Sequence, residues 1–141
     1  MLLVSKRESE LKSDLMKELH RQCPHFVVQL FASAGSPDRS ITGEGRTTHW
    51  EFKHGTPDFE SPGLQELTCS RIDLQGHCRY VIWQETRLIQ RTLIVRPRVL
   101  LARSQAIREG AEPTWSLQSE LSCVGFDHRW LVGEIRKAHR V

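Results

Sequence analysis

The sequence predicts an α/β protein in which helices flank a mixed central β-sheet. Segments with apolar residues at helical spacing alternate with short β-branched and aromatic segments, and glycines and prolines separate them. In the middle of the chain a hairpin, a helix and a strand follow one another, and the connection through the helix must cross over. The chain has 141 residues, which suits a single domain with one active site.

Each element follows from the spacing of apolar residues and from the breaks between them. The first helix has apolar residues three and four apart among charged ones, and Pro24 ends it. A Gly43-Glu44-Gly45 reversal separates two strands of a hairpin, and Gly76 ends the second helix. For the segment 25–32 a continued helix is the alternative to a strand. In chain order we predict a helix at 5–22, a strand at 25–32, hairpin strands at 39–42 and 46–53, a loop at 54–62, a helix at 63–75, strands at 79–83 and 91–95, and helices at 99–109 and 126–139.

Composition and charge describe a folded, weakly basic protein. Hydrophobic residues make up 38% of the chain, and no run reaches the roughly 20 apolar residues of a membrane span, so we expect no membrane segment. The short apolar opening, residues 1–4, is soon followed by the charged residues Lys6, Arg7 and Glu8, which argues against a signal peptide. The four cysteines lack C-x-x-C or zinc-finger spacing, which favours reduced thiols and a cytoplasmic protein. The formal net charge is +3, with arginine concentrated after residue 85, which permits a polyanionic partner.

Three charged residues are predicted to meet at one end of the hairpin. Glu51 and Lys53 are two apart on a strand, so their side chains point to the same face. Asp38 lies thirteen residues before Glu51, and the hairpin brings the start of one strand beside the end of the next. Two carboxylates there would form the oxygen-rich site that Mg²⁺ prefers, with a lysine to orient water. An isolated E-x-K is common on solvated strands, but Trp50 and Phe52 predict that the other face of this strand is buried.

Four segments follow one another in the chain: Gly35-Ser36-Pro37-Asp38, Trp50-Glu51-Phe52-Lys53, Gln65 near the start of a helix, and Gly76 before a strand. In this order they resemble the motifs of the PD-(D/E)xK nucleases, and among them the virus-type replication-repair nuclease domain. The similarity covers about residues 8–84. Several motifs in the family's order are more specific than any one motif alone. The resemblance implies a restriction-endonuclease-like core.

The resemblance also implies a Mg²⁺-dependent DNA endonuclease of replication, recombination or repair, with Mn²⁺ as a substitute metal. Asp38 and Glu51 would bind the metal, Lys53 would assist the attacking water, and Gln65 would support the site. Many relatives add an acid from the first helix. The candidates for this acid are Glu8, Glu10 and Glu18, which the sequence does not separate, and Glu10 is our working choice for a metal ligand.

DNA is the expected partner, in a bacterial or phage-infected cell. A homodimer is a second expectation, because two sites related by a twofold axis can cut both strands of a junction. The basic C-terminal part, 85–141, is expected to pack on the core as an extension. The residues expected to contact DNA are His54, Arg46, Arg96 and Arg98. The alternatives are a non-catalytic module that binds nucleic acid or protein on the same fold, and a structural subunit of a larger assembly; the intact set of Asp38, Glu51 and Lys53 favours the enzyme.

Overall fold

The computed structural model of the protein describes residues 6–30, 35–55, 63–111 and 119–140. Within these ranges a six-stranded mixed sheet is flanked by four helices, which confirms the predicted fold class. The helices are α1 (Lys6–Gln22), α2 (Gly63–Gln75), α3 (Pro97–Arg108) and α4 (His128–Ala138), and the strands are β1 (Val27–Leu30), β2 (Arg39–Gly43), β3 (Arg46–Gly55), β4 (Cys78–Glu85), β5 (Gln90–Val95) and β6 (Leu121–Val124).

The strands lie in the sheet in the same order as in the chain. β3 and β4 are parallel and are joined by α2, as the crossover argument predicted. The other neighbouring pairs are antiparallel. The β2–β3 hairpin turns at Glu44 and Gly45, which both have positive φ, 54° and 74°. Two such residues form the tight turn whose twist matches that of the flanking strands, and this turn sets the register of the hairpin.

The prediction and the structure differ mainly at strand ends. β3 continues to Gly55, so the predicted loop begins too early; His54 and Gly55 pair with Trp83 and Gln84 of β4. Residues 56–62 of that loop lie outside the described ranges, as do residues 31 and 32 of the first predicted strand. Of the described residues of that segment, Val27–Leu30 form strand β1, and the alternative of a continued helix is wrong. β6 has no counterpart among the predicted elements, because it is four residues long and pairs with β5 alone.

Each face of the sheet carries its own hydrophobic core. Because side chains alternate along β3, Trp50 and Phe52 pack under α1 and α4, whereas Glu51 and Lys53 point to the α2 side. The first core contains Leu11, Leu15 and Leu19 of α1 and Leu131, Val132 and Ile135 of α4. The second contains Cys69 of α2, Leu100 of α3, and Cys78, Tyr80, Ile82, Leu93 and Val95 of the sheet.

The C-terminal part of the chain is built into this architecture. β5 and β6 continue the sheet, α3 packs beside α2, and α4 packs beside α1. The four cysteines form no disulfide. No helix in the described ranges is both long and apolar enough to cross a membrane.

Candidate active site

The register of the hairpin places Asp38 beside Glu51. Arg39 is the partner of Trp50 in the antiparallel pair, so Asp38, the residue before β2, comes opposite Glu51. Both the backbone N–H and the charge of Asp38 act on the Glu51 carboxylate: the N–H lowers its pKa and the charge raises it. The start of β2 and the second half of β3 therefore bring two acids together, as the spacing predicted.

Glu51 lies in the interior of the protein and not on a solvated strand. The residue is 4% exposed, and Lys53 Nζ is 3.1 Å from its Oε2 atom. Burial raises the pKa of Glu51 above its ordinary value, and the Lys53 ammonium opposes this rise. A buried acid with a raised pKa and a specific charged neighbour is a common feature of functional sites.

The Asp38 carboxylate is neutralised by two cations. Lys12 Nζ lies 2.9 Å from Oδ2, and Arg39 Nη1 lies 3.2 Å from Oδ1. Lys12 also lies 3.6 Å from Glu8, one helical turn earlier on α1. Lys12 is a site residue that the sequence analysis missed. Its signal is the Glu8–Lys12 spacing of four residues, which puts both on one side of α1 but does not show that this side faces β2.

Of the three candidate acids on α1, Glu8 is the one that reaches the site. Its Oε1 atom accepts a hydrogen bond of 3.1 Å from the backbone N–H of His54. Glu10 is two positions further, roughly 200° around the helix, where it meets a neighbouring arginine at 4.0 Å. Glu18 binds another arginine at 2.6 Å, about 15 Å further along the helix axis than Glu8. The geometry supports Glu8, and the working choice of Glu10 receives no support from it.

The first turn of α2 carries two polar residues, one of which was not predicted. The Oε1 atom of Gln65 is buried and accepts no hydrogen bond from the described part of the chain. Glu66 is completely buried. Burial raises the pKa of Tyr80, and the charges of Glu51 and Glu66 add to that rise. Glu66 therefore lies on the same side of the sheet as Glu51. An acid in the first turn of a helix is common because it suits the helix dipole, so the sequence did not mark Glu66 as a site residue.

His54 lies at the site end of β3 but on its other face, away from Glu51 and Lys53. Its Nε2 atom is 2.7 Å from Glu85 Oε1 at the end of β4. This hydrogen bond lowers the pKa of Glu85. With its Nε2 atom bound to Glu85 and its backbone N–H bound to Glu8, His54 joins α1, β3 and β4.

The three arginines predicted to contact DNA are not gathered at this site. Arg46 begins β3, five residues and about 17 Å before Glu51. Arg96 and Arg98 follow the end of β5 that adjoins the start of β4, so they lie toward the same end of the sheet as Arg46. Arg96 is also paired with Glu120 at 2.7 Å. The sequence pattern could not show at which end of β5 these residues would lie.

The oxygen atoms near the site suit a hard cation. Carboxylates are supplied by Asp38 and Glu51, and by Glu8 on the far side of the Lys12 ammonium from Asp38. Mg²⁺ and Mn²⁺ prefer these ligands to sulfur or imidazole. Among the described residues, no three His, Cys, Asp or Glu side chains already form a metal-binding group. The Lys12 ammonium lies against the Asp38 carboxylate, so an ion bound there would have to displace it.

No protein-family model matches the sequence, and no curated protein sequence matches it.

Proposed function

We propose that the protein is a Mg²⁺-dependent DNA endonuclease of the PD-(D/E)xK type, which hydrolyses phosphodiester bonds in replication, recombination or repair. The observation that supports this most is the convergence at Glu51: a buried carboxylate, opposite Asp38, with Lys53 Nζ at 3.1 Å. The order of elements also supports it, since Asp38 precedes β2, the E-x-K lies in the second half of β3, and Gln65 is in the first turn of α2.

In this proposal Asp38 and Glu51 would hold the metal ion, and Glu8 would support the site from α1. When bound, the ion would lower the pKa of a water molecule and stabilise charge on the phosphate. Glu51 is suited to bind a cation because its buried charge is only partly offset by Lys53. Lys53 would orient the attacking water. The buried Oε1 atom of Gln65 would accept a hydrogen bond from the Lys53 ammonium.

The partner in this proposal is DNA, and the setting is the cytoplasm, which suits four free thiols. A homodimer remains a prediction. The alternative of a non-catalytic module on the same fold is favoured by one observation: Lys12 already neutralises Asp38.

Cleavage of labelled plasmid, flap and four-way-junction DNA in Mg²⁺, Mn²⁺ or EDTA tests the proposal. We expect cutting with either metal and none with EDTA. Lys53→Met should lower the rate by about 10²-fold or more, because the charge beside Glu51 is lost. The control is Lys17→Met, an exposed lysine on α1, which should cut at the wild-type rate. Cutting in EDTA, or an unchanged rate in Lys53→Met, would contradict the proposed mechanism, and metal-independent binding without cutting would favour the module.

Lys12→Met should tighten the binding of Mn²⁺ to the protein about tenfold. The substitution removes an ammonium that lies 2.9 Å from Asp38 and competes with a cation for its oxygen atoms. The signal of free Mn²⁺ in electron paramagnetic resonance measures this affinity without any cleavage, and Lys17→Met is again the control. Weaker binding in Lys12→Met would mean that Lys12 holds the carboxylates in place and does not compete with the ion.

A further inference from the structure

Two arginines on the α2–α3 side of the sheet are oriented by buried, uncharged side chains. Arg91 of β5 donates from Nε and Nη2 to Gln84 Oε1, at 3.0 and 2.6 Å. Arg108 of α3 donates from Nη2 to Ser104 Oγ at 2.8 Å. Gln84 is 4% exposed and Ser104 is 1% exposed, so both acceptors belong to the interior. These contacts hold each guanidinium in place without cancelling its charge.

The charges of Arg91 and Arg108 are not offset by the described part of the protein. Both residues are exposed, and among the described residues no carboxylate lies within 4.0 Å of either. Arg79 and Arg96, in contrast, share Glu120 at the other end of β5. Fixed, uncompensated guanidinium groups are well shaped to bind phosphate oxygens.

Both arginines lie at the end of the sheet that carries the candidate active site. Gln84 is the β4 partner of Gly55, which comes two residues after Lys53, and Arg91 is the β5 partner of Gln84. Arg91 is therefore two strands from β3, about 10 Å across the sheet, on the same face as Lys53.

Arg108 approaches the same end from the helices above this face. It lies so close to Gly63, the first residue of α2, that a Cβ atom on Gly63 would clash with its Nη2 atom. Gln65 follows two residues later in the same turn of α2. The two arginines therefore lie at the same end of the molecule as Glu51 and Lys53, one on β5 and one at the end of α3.

We propose that Arg91 and Arg108 bind phosphates of the DNA backbone close to the scissile bond, in the roles that the sequence predicted for Arg46, Arg96 and Arg98. The inference rests on the proposed function for its choice of DNA as the ligand. Contacts with backbone phosphates do not distinguish one DNA sequence from another. They set the position of the DNA strand and make the affinity for DNA depend on salt concentration.

Binding of a fluorescent 20-base-pair duplex, measured by anisotropy in EDTA from about 50 to 200 mM salt, tests this inference without cleavage. The pair Arg91→Gln with Arg108→Gln should weaken binding at least about tenfold at the lowest salt. It should also reduce the slope of log K against log salt by about two. The matched control is Arg96→Gln with Arg98→Gln, which removes the same charge and should leave the slope unchanged. Arg91→Lys keeps the charge but lacks the planar guanidinium, which donates from two nitrogen atoms. This variant should bind the duplex with intermediate affinity, and it tests the inference even if Arg91→Gln unfolds.

Equal losses in the two pairs, or an unchanged slope in the Arg91 and Arg108 pair, would overturn the inference. If the slope changes as expected but no DNA structure is cut in Mg²⁺, the nuclease proposal fails while the binding surface stands. If the wild type cuts DNA and the Arg91 and Arg108 variants bind it normally, the inference alone fails.

Discussion

Glu51→Gln should strongly slow metal-dependent cleavage and, at neutral pH, raise the free energy of unfolding. The carboxamide has the size of the carboxylate but is a poor ligand for a divalent cation. We expect the cleavage rate to fall by about 10³-fold, because the charge that would hold the ion is removed from the centre of the site. Lys53, which loses its partner, is partly exposed and can turn to water.

The gain in stability follows from the buried charge. Burial raises the pKa of Glu51 from the ordinary 4.5, so the folded protein holds this proton more tightly than the unfolded chain does. The carboxyl group therefore costs no stability below about pH 4.5, and it destabilises the protein increasingly as the pH rises through the raised value. The glutamine variant should match the wild type at about pH 4 and exceed it at pH 7.

Urea unfolding at both pH values, together with the cleavage assay, checks the two effects. Glu10→Gln is the matched control, because Glu10 lies on α1 with its side chain about half exposed and should change neither. Continued cutting by Glu51→Gln would exclude Glu51 as a metal ligand. An inactive variant with no gain in stability at pH 7 would keep its role in cleavage and exclude the electrostatic cost.

Leu15→Ala should lower the free energy of unfolding by about 2–5 kcal/mol. Leu15 is completely buried in the core that α1 and α4 form with the sheet. Its truncation removes apolar contacts and leaves a cavity, and the higher helix propensity of alanine offsets little of this loss. Since α1 also carries Glu8 and Lys12, the packing of Leu15 holds one wall of the site in place.

The control for this variant is Leu74→Ala, the same substitution on α2 at a residue that is 88% exposed. It should change the unfolding free energy by no more than about 0.5 kcal/mol. Urea denaturation at pH 7 measures both. Equal effects of the two substitutions would mean that α1 does not pack on the sheet as described.

The part of the site that could be predicted is the part that local geometry determines. Asp38, Glu51 and Lys53 belong to one hairpin, so strand alternation and a two-residue turn are enough to bring them together. The bounds of α2 were also predictable, because Gly63 and Gly76 mark its ends. These inferences need no knowledge of how distant segments pack.

What could not be predicted depends on contacts between distant elements. The spacing of Glu8 and Lys12 shows that they share one side of α1, but only the packed structure shows that this side meets Asp38. Arg91 and Arg108 become neighbours of the site through the order of strands and the direction of α3. β6 is too short for its pattern to be informative, and it is a strand because β5 is available to pair with it.

The agreement between strand order in the sheet and strand order in the chain has a consequence for folding. Each strand pairs with its neighbour in sequence, so most of the sheet can form through short loop closures that cost little chain entropy. The contact between α1 and α4 joins segments separated by roughly 100 residues and carries the largest closure cost. The layer that holds Glu8 and Lys12 over the hairpin is thus the one whose assembly is entropically most expensive.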